Sequence, residues 1–119
     1  MRSMSATSSP AVRLRRALDA GSLTLAEAAA RECRGVELED ALGICLLLGA
    51  SRDARFERAA VRWAGRLCTA HPEVGFADAR RALTDLENLR GASPPLARSD
   101  LALLLRALGL VHSAQRAER

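Results

Sequence analysis

The segment from Ser51 to Ala70, SRDARFERAAVRWAGRLCTA, constrains the fold more than any other part of the chain. A helix through this segment gathers apolar side chains on one narrow face. These are Phe56, Ala60, Trp63 and Leu67. A second, weaker apolar face holds Ala54, Val61, Ala64 and Cys68. Because a helix that is apolar on two sides is usually packed on two sides, we expect residues 51–70 to form the central helix of a small bundle, with Trp63 buried.

Five arginines run along the same segment, spaced three, three, four and four residues apart. They are Arg52, Arg55, Arg58, Arg62 and Arg66. On a helix this spacing makes one continuous row of guanidinium groups, which we call the arginine stripe. Since guanidinium groups suit bidentate contacts with phosphates and carboxylates, the stripe is the candidate surface for an anion or an acidic partner.

An alternative account of the arginine stripe is that acidic residues of the same chain neutralise it. Residues 22–50 carry a net charge of −3 and residues 51–70 a net charge of +3. This alternation favours neutralisation within the fold, with Glu37, Glu39 and Asp40 as the expected partners.

The composition favours an all-α fold. Ala and Leu dominate the chain, aromatic residues make up only 3%, and no segment alternates over the length of a strand. A chain of 119 residues makes one domain. We therefore expect a compact bundle of five or six short helices over residues 11–111, a disordered tail over 1–10 and a frayed tail over 112–119.

Two apolar runs predict more hydrophobic surface than a bundle of this size covers. They are Ile44–Leu48 and Leu101–Leu105. Uncovered apolar patches tend to become interfaces, so the runs favour a protein partner, either unidentified or a second copy of the chain. Ahead of the first run, Thr24 and Glu27 have the spacing of a helix capping box.

The residues give little support to a catalytic or a metal-binding function. The three cysteines, Cys33, Cys45 and Cys68, are far apart and form no metal-binding spacing. We expect them to be free, buried or half-buried thiols, which is typical of the reducing cytoplasm. Cys68 precedes His71 by three residues, but no third group is evident to orient such a pair. We therefore expect no enzymatic activity, no cofactor and no metal, and the apolar runs are too short to span a membrane.

Nucleic-acid binding is the alternative function. The helix, glycine, helix order of residues 24–48 is similar to a helix-turn-helix, but its second helix opens with three carboxylates, which phosphates would repel. Stacking of single-stranded bases is disfavoured because Phe56, Trp63 and Phe76 all occupy predicted core positions. Any nucleic-acid contact would therefore use the arginine stripe.

The string LEDALGICLLLGASRDARFERAAVRWAGRL, from Leu38 to Leu67, covers about a quarter of the chain. It resembles a stretch found in small uncharacterised proteins of high-GC actinobacteria. The resemblance implies an all-helical fold and a high-GC source, and it implies no activity and no site residue. The sequence as a whole predicts a non-enzymatic, cytoplasmic interaction or regulatory module.

Overall fold

The structure, a computed structural model, describes residues 9–89, 94–107 and 109–118. These residues form seven α-helices and no strand, which confirms the predicted all-α bundle of short helices, with one or two helices more than expected. The helices are α1 (Pro10–Asp19), α2 (Leu23–Glu32), α3 (Leu38–Ala50), α4 (Phe56–Ala70), α5 (Phe76–Asn88), α6 (Pro94–Ala107) and α7 (Val111–Glu118). None of them is both long and apolar enough to cross a bilayer.

Helix α3 lies at the centre of the bundle, packed against α1, α2, α4, α5 and α7. Its run Ile44–Leu48 is apolar on every side, so every side has to be covered. Among the described helices, α4 packs only against α3 and α5. The prediction that segment 51–70 forms the central helix is therefore wrong: residues 51–55 make a turn, and the helix that follows lies at the side of the bundle.

Two clusters of buried side chains meet at α3. The larger one joins α3 to α4, α5, α6 and α7, and its largest members, Phe56 and Trp63, are each 1% exposed, so the predicted burial of Trp63 is confirmed. The smaller cluster joins α1 and α2 through side chains such as Leu14 and Leu18. Ile44 packs against both clusters, so α3 connects the two halves of the core.

A frayed tail is expected over residues 112–119, but helix α7 covers residues 112–118, where this prediction is wrong; Arg119 lies outside the described residues. Val111–Glu118 are helical and pack against α3 and α6. Ala114 and Ala117 are fully buried, and Ser113 is nearly so. The segment looks polar in sequence because its buried stripe is built from small side chains, which bury little area each but allow close helix packing.

The start of the chain differs from the prediction by one residue where it is described. Residues 1–8 of the predicted tail over 1–10 lie outside the described residues. Ser9 caps α1, because its side-chain oxygen accepts a hydrogen bond from the Val12 N–H at 3.2 Å. Pro10 is the first helical residue, where its missing N–H costs nothing.

Candidate functional site

The arginine stripe starts in the turn before α4 and continues along the helix. Arg52 and Arg55 belong to the turn, and Arg58, Arg62 and Arg66 lie on α4. All five side chains are exposed. Arg52 has a φ of 54°, the left-handed conformation that often terminates a helix, and here it ends α3. The stripe therefore exists as a surface, but only three of its members share the helix.

Arg55 is neutralised within the fold. Its guanidinium group donates to both carboxylate oxygens of Asp53, at 3.0 and 2.9 Å, and to both oxygens of Glu27 on α2, at 2.7 and 3.2 Å. Hydrogen bonds from Arg55 lower the pKa of Asp53 to about 2, and the two carboxylates raise the pKa of Arg55. Arg55 therefore holds the start of α4 against α2.

Arg66 connects the other end of the stripe to the fold. Its guanidinium group donates a hydrogen bond to the backbone oxygen of Val36, in the connection between α2 and α3. Together with the contact from Arg55 to Glu27, this bond attaches α4 to α2 and to the connection that follows α2. Two of the five arginines thus have structural contacts within the chain.

Arg58 and Arg62 lie between these two contacts and have no ion-pair partner among the described residues, and the same is true of Arg52. Next to them Val61 exposes 62% of its surface. A concave region with a volume of about 770 Å³ runs along this part of the helix. We call it the α4 surface, and its residues are Ala54, Arg55, Glu57, Arg58, Val61 and Arg62.

The exposure of Val61 corrects the predicted second apolar face of this helix. Of its four members only Ala64 is buried; Cys68 is half-buried, and Ala54 and Val61 are exposed. The first face is buried as predicted, since Phe56, Ala60, Trp63 and Leu67 all lie in the core. Helix α4 is therefore packed on one side, and its other side presents a cationic surface with an apolar centre.

The acids that neutralise the stripe are different from those expected. Glu27 and Asp53 pair with Arg55, whereas Asp40 is buried at the start of α3. No ion pair joins Glu37, Glu39 or Asp40 to the stripe in the part of the chain that the structure describes. Five arginines against Glu27, Asp53 and Glu57 leave two positive charges in excess, so neutralisation within the fold accounts for only part of the stripe.

Asp40 belongs instead to a group of charged side chains that sequence reasoning missed. The carboxyl group is 3.7 Å from Arg15 of α1 and 3.8 Å from Arg116 of α7, and Arg116 also bonds Asp19 at 2.8 Å. Burial raises the pKa of Asp40, which the two arginines oppose. An acid in the first turn of an otherwise apolar helix was the available signal, but its partners lie in helices that are distant in sequence.

The remaining chemical candidates stay separate. Cys45 is buried, and burial raises the pKa of its thiol to about 12; Cys33 and Cys68 are half-buried, and all three are free. His71 faces Glu73, with Nδ1 3.3 Å from the carboxylate, and no hydrogen bond from Cys68 to His71 is found. The described side chains form no cluster that could hold a metal ion.

Phe76 is the aromatic residue whose predicted position is wrong. Its side chain is 77% exposed at the start of α5 and lies under the guanidinium group of Arg80, 5.2 Å from the ring centroid. The buried residues of α5 begin instead at Ala79. Phe76 belongs to a different helix from the α4 surface.

Comparisons with known proteins return no relative of this chain: no family model, no curated protein and no solved structure matches it. The resemblance of Leu38–Leu67 to actinobacterial proteins therefore stays a prediction.

Proposed function

We propose that this chain is a non-enzymatic interaction module whose α4 surface binds an acidic, partly apolar segment of a protein partner. The observation that carries the proposal is that two exposed arginines without an ion pair among the described residues, Arg58 and Arg62, line the same concave surface as the exposed Val61. A carboxylate on the partner can pair with each guanidinium group, and an apolar side chain beside them can cover Val61. The three free thiols suit a cytoplasmic location for this function.

An acidic protein segment fits the α4 surface better than a nucleic acid does. Binding to duplex or single strands relies on many phosphate contacts, and the excess of two positive charges supplies few of them. Glu57 lies within the surface and would repel a phosphate backbone, and Val61 offers a phosphate backbone nothing to bind. Nucleic-acid binding is the alternative, and the variant Val61→Ser distinguishes it from binding of a protein segment.

The first prediction tests the two unpaired arginines together. In a pull-down from the native cell, we expect the double variant Arg58→Gln/Arg62→Gln to lose a protein partner that the wild type retains. Arg80→Gln/Arg81→Gln, on α5, makes the same change in net charge away from the α4 surface and should retain it. Since neither Arg58 nor Arg62 has an ion pair to lose among the described residues, Arg58→Gln/Arg62→Gln should unfold at the urea concentration of the wild type.

A single substitution separates the two kinds of partner. Val61→Ser leaves every charge in place and removes the apolar centre, so it should weaken binding of a protein segment and leave binding of a nucleic acid unchanged. A partner retained equally by wild type and Arg58→Gln/Arg62→Gln would refute the proposal. Tight, salt-dependent binding of the wild type to duplex or single strands, unaffected by Val61→Ser, would replace it with the alternative.

A further inference from the structure

A second concave region, against α1 and α3, has a different lining. It has a volume of about 580 Å³, within the range of pockets that hold small molecules. The end of α1, the middle and end of α3, and one arginine each from α6 and α7 surround it. Its residues are Leu18, Asp19, Ala20, Gly21, Gly43, Leu46, Leu47, Ala50, Arg98 and Arg116. We call it the α1–α3 pocket.

The floor of this pocket is apolar and depends on a glycine. Leu18, Leu46 and Leu47 supply most of it. A Cβ atom at Gly43 would lie 3.0 Å from a methyl group of Leu18 and 3.1 Å from Cδ of Arg116, which is tighter than ordinary contact. The missing side chain at Gly43 therefore lets Leu18 and Arg116 approach the backbone of α3.

The two arginines of the pocket differ in their surroundings. Arg116 is 11% exposed and is held by Asp19 at 2.8 Å and Asp40 at 3.8 Å, so its charge is compensated and its position is fixed. Arg98 is half-buried and has no acidic partner among the described residues. A half-buried guanidinium group without a counter-ion is the group in this pocket that a ligand can satisfy.

The balance of charge indicates the kind of anion. The charged residues that line the pocket are Arg98, Arg116 and Asp19, which give two positive charges and one negative charge. One positive charge is left, which matches a monoanion. A planar carboxylate can bind the fork of Arg98 through both oxygens, and an apolar chain attached to it can cover the leucines of the floor.

We infer that the α1–α3 pocket binds a small monocarboxylate that carries an apolar chain, with the carboxylate on Arg98 and the chain over Leu46 and Leu47. The inference is independent of the α4 surface, which lies on another helix and uses none of these residues.

The test is a titration of the full chain with octanoate, followed by NMR through the backbone amides of Gly21 and Gly43. We expect saturable shifts at both glycines with a dissociation constant of about 1 mM, as one ion pair and a short chain supply. Octanol has the same chain without the carboxylate and should bind about tenfold more weakly, and so should acetate, which has the carboxylate without the chain.

Two variants locate the octanoate. Arg98→Gln removes the guanidinium group without breaking an ion pair among the described residues, so the variant should fold and its affinity for octanoate should fall about tenfold. Ala50→Phe places a ring from an exposed position at the rim and should block the pocket. Arg81→Gln, on α5, and Arg58→Gln/Arg62→Gln should bind octanoate as the wild type does.

Three results would overturn the inference. The first is an absence of saturable shifts at Gly43 up to about 10 mM octanoate, which is well above the expected dissociation constant. The second is that octanol binds as tightly as octanoate. The third is that Arg98→Gln binds octanoate with the affinity of the wild type. Because Arg98→Gln and Ala50→Phe both leave the core untouched, a wild-type circular dichroism spectrum and urea midpoint for each variant confirm that a loss of binding is local.

Discussion

Asp40 and Asp53 place the same carboxyl group in opposite surroundings. Asp40 is 1% exposed, and burial disfavours its ionised form, so its pKa rises above the ordinary value of 3.8. Asp53 lies at the surface and accepts hydrogen bonds from the side chain and backbone of Arg55, so its pKa falls to about 2. The two residues should therefore contribute to stability in opposite directions as the pH changes.

The second prediction concerns the pH dependence of these contributions. A raised pKa in the folded state means that the contribution of Asp40 is fully present below pH 3.8 and is lost as the pH rises through the folded pKa. A lowered pKa means that the contribution of Asp53 is fully present above pH 3.8 and is lost as the pH falls through about 2. We expect the stability of wild type relative to Asp40→Asn to fall with rising pH, and relative to Asp53→Asn to rise.

Urea unfolding of the three proteins between pH 2 and pH 7 measures both slopes. The two variants serve as controls for each other, because each replaces an aspartate by its neutral isostere. Slopes of the same sign would show that one of the two carboxyl groups has surroundings different from those described.

For single residues, the sequence predicts exposure to solvent better than it predicts the partner of a charged side chain. The spacing of Arg58, Arg62 and Arg66 correctly places them on one face of a helix. Glu27, however, has the spacing of a capping box with Thr24, whereas Ser22 caps α2 and Glu27 pairs with Arg55, 28 residues away. A pair at that separation depends on how helices pack, and one sequence holds no direct signal for it.

The central position of α3 shows how far periodicity predicts packing. A helix with a polar face, such as α4, needs only one apolar neighbouring surface, and its arginines require solvent on the other side. The run Ile44–Leu48 has no polar face and needs cover all round. The apolar run of α3 therefore indicates the central helix. The prediction chose segment 51–70 instead because that segment holds Trp63 and the arginine stripe.

The third prediction compares two glycines on these neighbouring helices. Gly65 lies on the exposed side of α4, where a Cβ atom would meet nothing within 4 Å. Gly65→Ala should therefore stabilise the protein by about 0.5–1 kcal/mol, since alanine favours the helix. At Gly49 of α3 a Cβ atom would lie 3.0 Å from the ring of Phe56, which is itself fully packed.

Gly49→Ala should be net destabilising, because overpacking costs about 1–3 kcal/mol and the gain in helix propensity is only about 1 kcal/mol. Urea unfolding followed by circular dichroism compares the two variants with wild type. If Gly49→Ala stabilised the protein as much as Gly65→Ala, the ring of Phe56 would not pack as closely against Gly49 as described.

At the scale of the whole molecule, the fold removes the observation that favoured a homodimer. Most of the two apolar runs is covered within the chain, and Leu103 is the one large exposed side chain among their described members. The other large exposed apolar residues, Leu25, Val61 and Phe76, each lie on a different helix. Single exposed apolar residues are common on monomeric proteins. A bundle of seven helices covers more surface than the predicted five or six.

Helix α7 connects the last part of the chain to the first. Arg116 bonds Asp19 of α1 and lies beside Asp40 of α3, and the alanines of the same helix fill the core between α3 and α6. We therefore expect α7 to unfold together with the rest of the core. The sequence indicated a frayed tail here because a buried stripe of alanine and serine contrasts weakly with polar neighbours.

The fourth prediction tests whether α7 belongs to the core by placing the same charge on its two sides. Ala117 is fully buried and Gln115 is exposed. Ala117→Glu buries a carboxylate in a tightly packed position and should destabilise the protein by about 3 kcal/mol or more. Gln115→Glu adds an equal charge at the surface of the same helix and should change stability by less than about 0.5 kcal/mol.

Urea unfolding is followed through the fluorescence of Trp63, on α4, which reports on a part of the core distant in sequence from α7. A shift of the Ala117→Glu transition therefore shows that α7 unfolds together with that part of the core. Equal transitions for the two variants would mean that α7 contributes nothing to the core.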